Sequence, residues 1–304
     1  MEHKTTADYL QDPLLQWMLP IYLLALGLSA WRSARNNNHW YKPADTIASL
    51  TMLVASAIVD LLPKLAAIGA MLWLAPLSPW QEVVGRQWWS WVILFLLDDL
   101  CYYLFHRSNH EWRLFWAGHV NHHSSRYVNL ATALRQGVGE RIPKYLYWLP
   151  LPLLGFDVAM ILSMISLNLF YQFWIHLPGA RKLPAPIEWL FNTPSHHRVH
   201  HASNPIYLDR NHGGVLIIWD RLFGTFQAEL AVEPPRYGLT TNLTNNHPIN
   251  VLTHEYRALW HDLRRAPDLT TRLRYLFGPP GWNHDGPDKS ARILRREIRT
   301  ETGA

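Results

Sequence analysis

Four long apolar blocks, separated by polar segments that carry most of the histidines, set the pattern of this chain. Residues 14–31 form an almost unbroken apolar run with Gln16 and Pro20 near its start. That is close to the roughly 20 residues a helix needs to cross the hydrocarbon core of a bilayer. Residues 46–77 make a second block, interrupted by Asp60, Pro63 and Lys64. Asp60 and Lys64 are four apart and can pair on one helical face, which predicts a kinked span; a charge inside a span is otherwise a functional candidate. Residues 88–105 form the third block, entered through Trp88, Trp89 and Trp91, an interfacial aromatic belt. Residues 145–176 are apolar again but broken near 155–157, which predicts a tight hairpin of two spans, one of them short or tilted. After Leu177 the sequence is a polar stretch rich in Pro and Arg, helical in patches from Pro234 onwards. The expected fold is an all-α integral membrane protein with about four to five transmembrane helices. It forms one domain over residues 1–304, with 106–144 and 177–304 as a cytoplasmic, His-rich helical cap.

Charge supplies the orientation. Arg32, Arg35 and Lys42 against Asp45 place segment 32–45 in the cytoplasm by the positive-inside rule. Alternation then delivers His106 to the cytoplasmic edge and returns the 145–176 hairpin to the same side. The net charge is +5, and 49% of residues are hydrophobic while mean hydropathy is only −0.10, so the apolar residues are concentrated in the blocks. Basic residues flanking those blocks point to an anionic membrane surface. No nucleic-acid motif accompanies them, so nucleic acid is not an expected partner. Cys101 is the sole cysteine, which excludes an intrachain disulfide and a Cys-based zinc site. The leader MEHKTTADYLQDP is polar, ends in no cleavage site, and does not read as a signal peptide.

The candidate chemistry lies in three clusters: His106 and His110; His119, His122 and His123; and His196, His197, His200 and His201. Helical positions three and four apart share a face, so each cluster is expected to form a comb of imidazoles pointing one way. Three combs facing one another offer more nitrogens than one tetrahedral metal takes, which predicts a site for two ions. Imidazole suits iron, zinc, copper and nickel alike. Asp99, Tyr103, His106 and His110 share a stripe, so Asp99 either orients a ligand imidazole or caps a polar cavity. His176, at the end of its block, is a further ligand, a donor to one, or an interfacial residue. Arg135 either holds a lipid head group or pairs with a carboxylate. Asn211, Trp219 and Asp220 are expected to fix the cap over the site, with Gly213 and Gly214 allowing the tight turn. Apolar spans bring a lipid chain to such a site and exclude water from it. The implied chemistry is oxygen activation and attack on a lipid C–H bond.

The order His-x3-His, His-x2-His-His, His-x2-His-His resembles the sterol desaturase/fatty acid hydroxylase superfamily of membrane di-iron oxygenases. The stretches HRSNHE, FWAGHVNHHSS, NLATALRQ, YQFWIH, NTPSHHRVHH and NHGGVLIIWDRLFGTF carry the similarity. The resemblance implies two irons held by His106, His110, His119, His122, His123, His197, His200 and His201, with His196 also essential. The surrounding text is most similar to the branch that hydroxylates the ether carbon of glycerol lipids. That likeness implies O2 and a lipid as substrates, tetrahydrobiopterin or another electron donor, and a catalytic, cofactor-binding role for Glu111. The sequence departs from the pattern at His212, where Tyr is usual, and at Leu177, where Thr commonly follows the histidine. A desaturase with the same ligands is the alternative, followed by a zinc-dependent membrane hydrolase and a non-enzymatic metal or haem protein.

Overall fold

The computed structural model describes residues 13–85 and 87–302; most of the polar leader lies outside them. Among the described residues the chain is helical with isolated β-bridges and no strand. Helix α1 spans Pro13–Arg35, and α2, Pro43–Val59, starts at a proline after the extended Lys42. Proline is suited to that first position because its missing N–H would have no helical acceptor there. Asp60 separates α2 from α3, Leu61–Leu74, and the axis bends by 46° at this break. Thus the second apolar block is kinked where its charges interrupt it.

Helix α4, Trp88–Glu111, carries the third block and the first histidine pair in one piece. Trp112, extended at φ −114° and ψ 119°, turns the chain into α5, Arg113–His123. A one-turn helix α6, Leu130–Ala133, is closed by a reciprocal capping box between Asn129 and Thr132. Helix α7, Val158–Trp174, is capped by Asp157, whose carboxylate accepts from the Ala159 N–H at 2.8 Å. Residues 145–157 do not form the first arm of a hairpin. They make short turns at Tyr145–Tyr147 and Pro150–Leu153, and the chain reverses at Gly155, φ +92°. Pro150 and Pro152 have no N–H to continue a helix, and a Cβ at Gly155 would stand 2.7 Å from the Trp80 carbonyl oxygen.

Large apolar side chains face outward from the helices of the apolar blocks. Leu24, Ile58, Leu62, Trp73 and Trp88 are each 65% or more exposed, with Trp88 reaching 79%. Among the described residues, α4 is long and apolar enough to cross a bilayer as a single helix, and Pro43–Val59 with Leu61–Leu77 passes as a bent pair. The 17-residue α7 is shorter. Inward, Leu94, Phe105, Trp148, Met160 and Ile161 pack the seam between α4 and α7. Polar groups within that seam are satisfied: the Trp148 indole donates to Asp98 at 2.7 Å and Asn168 donates to it at 2.9 Å.

The cap contains α8, Ala185–Leu190; α9, Pro194–His200; α10, Ile218–Leu222; and then α11, Pro248–Arg265, α12, Leu269–Phe277, and α13, Ala291–Thr302. Helix α11 packs across α5, and the buried Arg113 on α5 is clamped by Glu255 at 2.8 Å and Asp262 at 2.7 Å. Ala117 and Gly118 keep that contact close; a Cβ at Gly118 would lie 3.1 Å from the Tyr256 hydroxyl. The helix bearing the central histidines is therefore fixed from both sides.

Candidate metal centre

Nine imidazoles meet where α4, α5, α9 and the end of α7 converge. They divide into two groups: His106, His110, His119, His123 and His200, and His122, His176, His197 and His201. Within each group the candidate ligand atoms all lie within 4.8 Å of one another. The rings of His123 and His201 stack at 4.6 Å, joining one group to the other.

The combs do not each point at one place. In all three, the pair four residues apart stays together: His106 with His110, His119 with His123, and His197 with His201. The residue at the third position, His122 or His200, crosses to the other group. At 3.6 residues per turn, offsets of three and four diverge by about 100°. Each His-x2-His-His run therefore straddles both groups and ties them at a fixed separation.

Outer partners fix the tautomers. Nδ1 of His106, His122, His176 and His200 faces the backbone carbonyls of His212 (2.9 Å), Arg135 (3.1 Å), Gln172 (2.8 Å) and Arg210 (2.9 Å). A carbonyl only accepts, so these Nδ1 atoms carry the hydrogen and each Nε2 presents a bare lone pair. The Glu140 carboxylate lies 3.1 Å from His119 Nδ1 without hydrogen-bonding geometry. His110 Nδ1 lies 3.3 Å from the Asp209 carboxylate. The bare Nε2 atoms then meet other ring nitrogens: that of His106 faces His119 Nε2 at 3.1 Å, and those of His122 and His176 face each other at 3.4 Å. His110 and His200 keep a buried Nε2 with no hydrogen-bond partner.

Facing lone pairs repel, and protonation does not relieve them here. Burial pushes the His200 ring down to about 3. Burial first and neighbouring imidazoles second hold His122, His123, His197 and His201 well below the ordinary imidazole range. A cation among the nitrogens converts this repulsion into ligation, and the carbonyl and carboxylate partners behind the rings are the usual support of a histidine metal site. The donor set fits two metal ions.

Several expected residues stand elsewhere. His196 is outside both groups, because both of its ring nitrogens are engaged: Nε2 lies 3.0 Å from Glu188 and Nδ1 3.2 Å from the Phe191 carbonyl. Asp99 orients no imidazole. It is fully buried and accepts from the Val215 and Leu216 N–H groups (2.7 and 2.9 Å), the Trp219 indole (3.0 Å) and Asn168 (3.2 Å). Those donors use its lone pairs, so its role is to lock segment 213–219 onto α4. Glu111 is exposed at the end of α4 in an ion pair with Arg107 at 2.7 Å and is a member of neither group. His176 falls within the second group. Arg135 is fully buried against Asp45 at 2.9 Å, so the carboxylate pairing is the one observed.

Asp220 accepts from the His212 and Gly213 N–H groups at 2.8 and 2.7 Å, which clamps the turn over the site. Gly214 lies flat against α4: a Cβ there would meet Asn168 Oδ1 at 2.6 Å and Asp99 Oδ1 at 2.8 Å. The Gly214→Ala variant is expected to lower the thermal midpoint and loosen this turn, read as increased hydrogen exchange at residues 213–219. Unchanged exchange there would contradict the close packing.

Sequence reasoning misses three residues beside the groups. His212 is buried with its ring 4.9 Å from that of His110, but it has no histidine three or four positions away to mark it. Glu140 and Asp209 reach the rings from loops, where no periodicity signals them.

Glu188 carries a pH prediction. Burial works to raise its pKa, but hydrogen bonding from His196, Ser195 and the Leu183 N–H holds it at about 2 against an ordinary 4.5. A lowered carboxylate pKa means that the folded state favours the ionised form. This stabilisation is fully present above about pH 4.5 and is lost as pH falls toward 2. The difference in thermal midpoint between wild type and Glu188→Gln is expected to be constant at neutral pH and to shrink as pH falls from about 4.5 toward 2. A difference that does not change with pH would remove the assignment.

Sequence comparison gives the class of protein to which this site belongs. Residues 91–225 match the sequence model of the fatty acid hydroxylase family, and the chain belongs to that family. The chain is similar to alkylglycerol monooxygenases: 42% identical to the human protein over 225 residues, covering 74% of this chain and 48% of that one. It is 35% identical to the Xenopus tropicalis protein over 298 residues, covering 97% and 64%. An ornithine lipid hydroxylase of Rhizobium tropici is 29% identical over 157 residues, covering 48% and 42%. The chain thus spans less than two thirds of the length of these relatives. No solved structure matches it.

Proposed function

We propose that this protein is a multi-pass membrane lipid monooxygenase that holds one iron ion in each imidazole group. It would use O2 to hydroxylate a lipid C–H bond, cleaving an alkylglycerol ether where the attacked carbon bears the ether oxygen. The observation that carries the proposal is the confrontation of bare Nε2 atoms in two groups, each backed by hydrogen-bond acceptors on the far nitrogen. Bound iron would supply the redox chemistry that activates O2. Similarity to alkylglycerol monooxygenases and to an ornithine lipid hydroxylase supports the reaction class and a lipid substrate.

The rest is the work of this chain's residues. A cavity of about 280 Å³ reaches the imidazoles from the side of the apolar helices. Met18, Leu19, Leu53, Leu169 and Phe173 line its outer part, and His106, His119, His122, His176 and His197 its inner end. An alkyl chain in this cavity would lie beside histidines of both groups, its lining completed by Gln136, Glu140, Lys144 and Gln172. The same helices expose leucine, isoleucine and tryptophan outward, which supports four to five spans in a bilayer, and Arg32, Arg35 and Lys42 support a cytoplasmic site. Hydroxylation of an ether carbon gives a hemiacetal that collapses to an aldehyde and a glycerol derivative. Tetrahydrobiopterin is the proposed donor of the two electrons and two protons that reduce the second oxygen atom to water.

The test is turnover of an alkylglycerol under isotopically labelled O2 by iron-reconstituted protein in lipid nanodiscs. One labelled oxygen in the aldehyde is expected. Loss of two hydrogens without added oxygen would instead indicate a desaturase, and oxygen-independent turnover with zinc alone would replace the whole reading by a hydrolase.

A further inference from the structure

His212 stands at the rim of the first imidazole group, and we infer that it is a further nitrogen donor to the ion held there. The inference rests on the reading that each group holds one ion, and adds how many protein nitrogens the first ion receives. His212 is 1% exposed, and its ring lies 4.9 Å from that of His110 and 5.8 Å from those of His106 and His200. Rings inside the group are spaced comparably: 4.5 Å between His106 and His200, and 5.4 Å between His106 and His110.

The backbone of His212 is fixed, but its ring is not. Asn211 holds φ +58°, a left-handed conformation that asparagine tolerates. Its side-chain amide donates to the His196 and Gln227 carbonyls at 3.0 and 2.8 Å. The His212 N–H donates to Asp220 at 2.8 Å, and the His212 carbonyl faces His106 Nδ1 at 2.9 Å. The ring Nδ1, by contrast, is buried with no hydrogen-bond partner, and the neighbouring Asp209 backbone makes no aligned bond to it. His110 and His200 likewise keep buried, unpartnered Nε2 atoms. Three adjacent rings thus each carry an unsatisfied nitrogen. A buried polar atom without a partner is costly, so three together call for a physical reason. One shared cation satisfies all three.

His212 lies outside the set of ligand atoms within 4.8 Å of one another. Rotation about its side-chain bonds brings the ring inward and breaks no hydrogen bond at Nδ1. With the five members of the first group it gives that ion six protein nitrogens. The second group supplies four, so positions for exogenous ligands lie on the second ion.

Histidine-selective proton NMR of the full chain in lipid nanodiscs, with cobalt(II) as the only metal, tests the assignment. Cobalt(II) moves the ring protons of each ligated imidazole far outside the ordinary spectrum, so the shifted rings count the ligands. The nine rings of the two groups and that of His212 are expected to shift; a spectrum with the nine alone overturns the inference. His212→Phe keeps a ring and removes its nitrogens, and should lose one shifted set. Stepwise cobalt titration of this variant should show one binding step weakened about ten-fold and the other within about two-fold of wild type. Hydrogen exchange at residues 213–219 should not change, because the backbone of His212 makes the contacts of the turn. Weaker binding without loss of a shifted ring would make His212 a support for other ligands and overturn it as a donor. His212→Gln, polar but without an imidazole, carries the same expectations if His212→Phe does not fold. The two readings fail separately. Wild-type protein that takes up two cobalt ions with only the nine shifted rings keeps the two-group centre and loses His212. Uptake of fewer than two ions removes the two-group reading itself, and this inference with it.

Discussion

His122→Ala is expected to lower turnover by more than about a hundred-fold, beyond the usual cost of removing an outer partner of a metal ligand. His122 is the α5 residue that crosses to the second group, and with His176, His197 and His201 it makes a set of four. Three nitrogens remain in the variant, and iron content should fall by about half, because the five-membered first group keeps all its members. Expression and helical content should hold, since apolar surface and not metal dominates insertion of the helices. The comparison is His261→Ala, whose side chain is 65% exposed and far from both groups in its contacts; it should retain wild-type turnover and iron. Full activity in His122→Ala would eliminate the two-group assignment.

The second large effect concerns stability. Arg135→Met is expected to cost about 3–5 kcal/mol, because it leaves the buried Asp45 carboxylate without its cation. The guanidinium is completely buried and donates to Asp45 at 2.9 Å, the Asn121 carbonyl at 2.8 Å and Ser124 Oγ at 2.9 Å. It thereby ties the start of α2 to the end of α5, and its own carbonyl holds the His122 ring. Chemical denaturation in micelles measures the loss. Replacing both members, as Asp45→Leu with Arg135→Met, should recover part of it, since an apolar pair leaves no stranded charge. A double variant no better than Arg135→Met alone would show that packing, and not the unpaired carboxylate, sets the cost.

Much of the fold was legible in the chain. The break at Asp60 and the single helix from Trp88 through His110 followed from local composition. The expected hairpin at 145–176 did not form, because hydropathy averages over Pro150, Pro152 and Gly155 while the backbone cannot. Asp99 misled for a different reason. Its spacing to His106 places both on one stripe of α4, but the side chain bonds to backbone N–H groups more than a hundred positions away, which no periodicity reveals. His196 lies beside true members of the cluster in sequence, yet Glu188 draws its ring aside.

The sequence by itself determined that the histidines act as sets, since helical geometry turns spacings of three and four into neighbouring side chains, and that apolar helices stand beside the polar segments that carry most of them. Only the tertiary structure decided how the sets divide. That division depends on the crossing of α4, α5 and α9, which sends adjacent histidines to different groups, and on carbonyls and carboxylates from distant loops that choose which nitrogen of each ring faces inward. Spacing is a property of one helix; lone pairs meet only when several helices are packed.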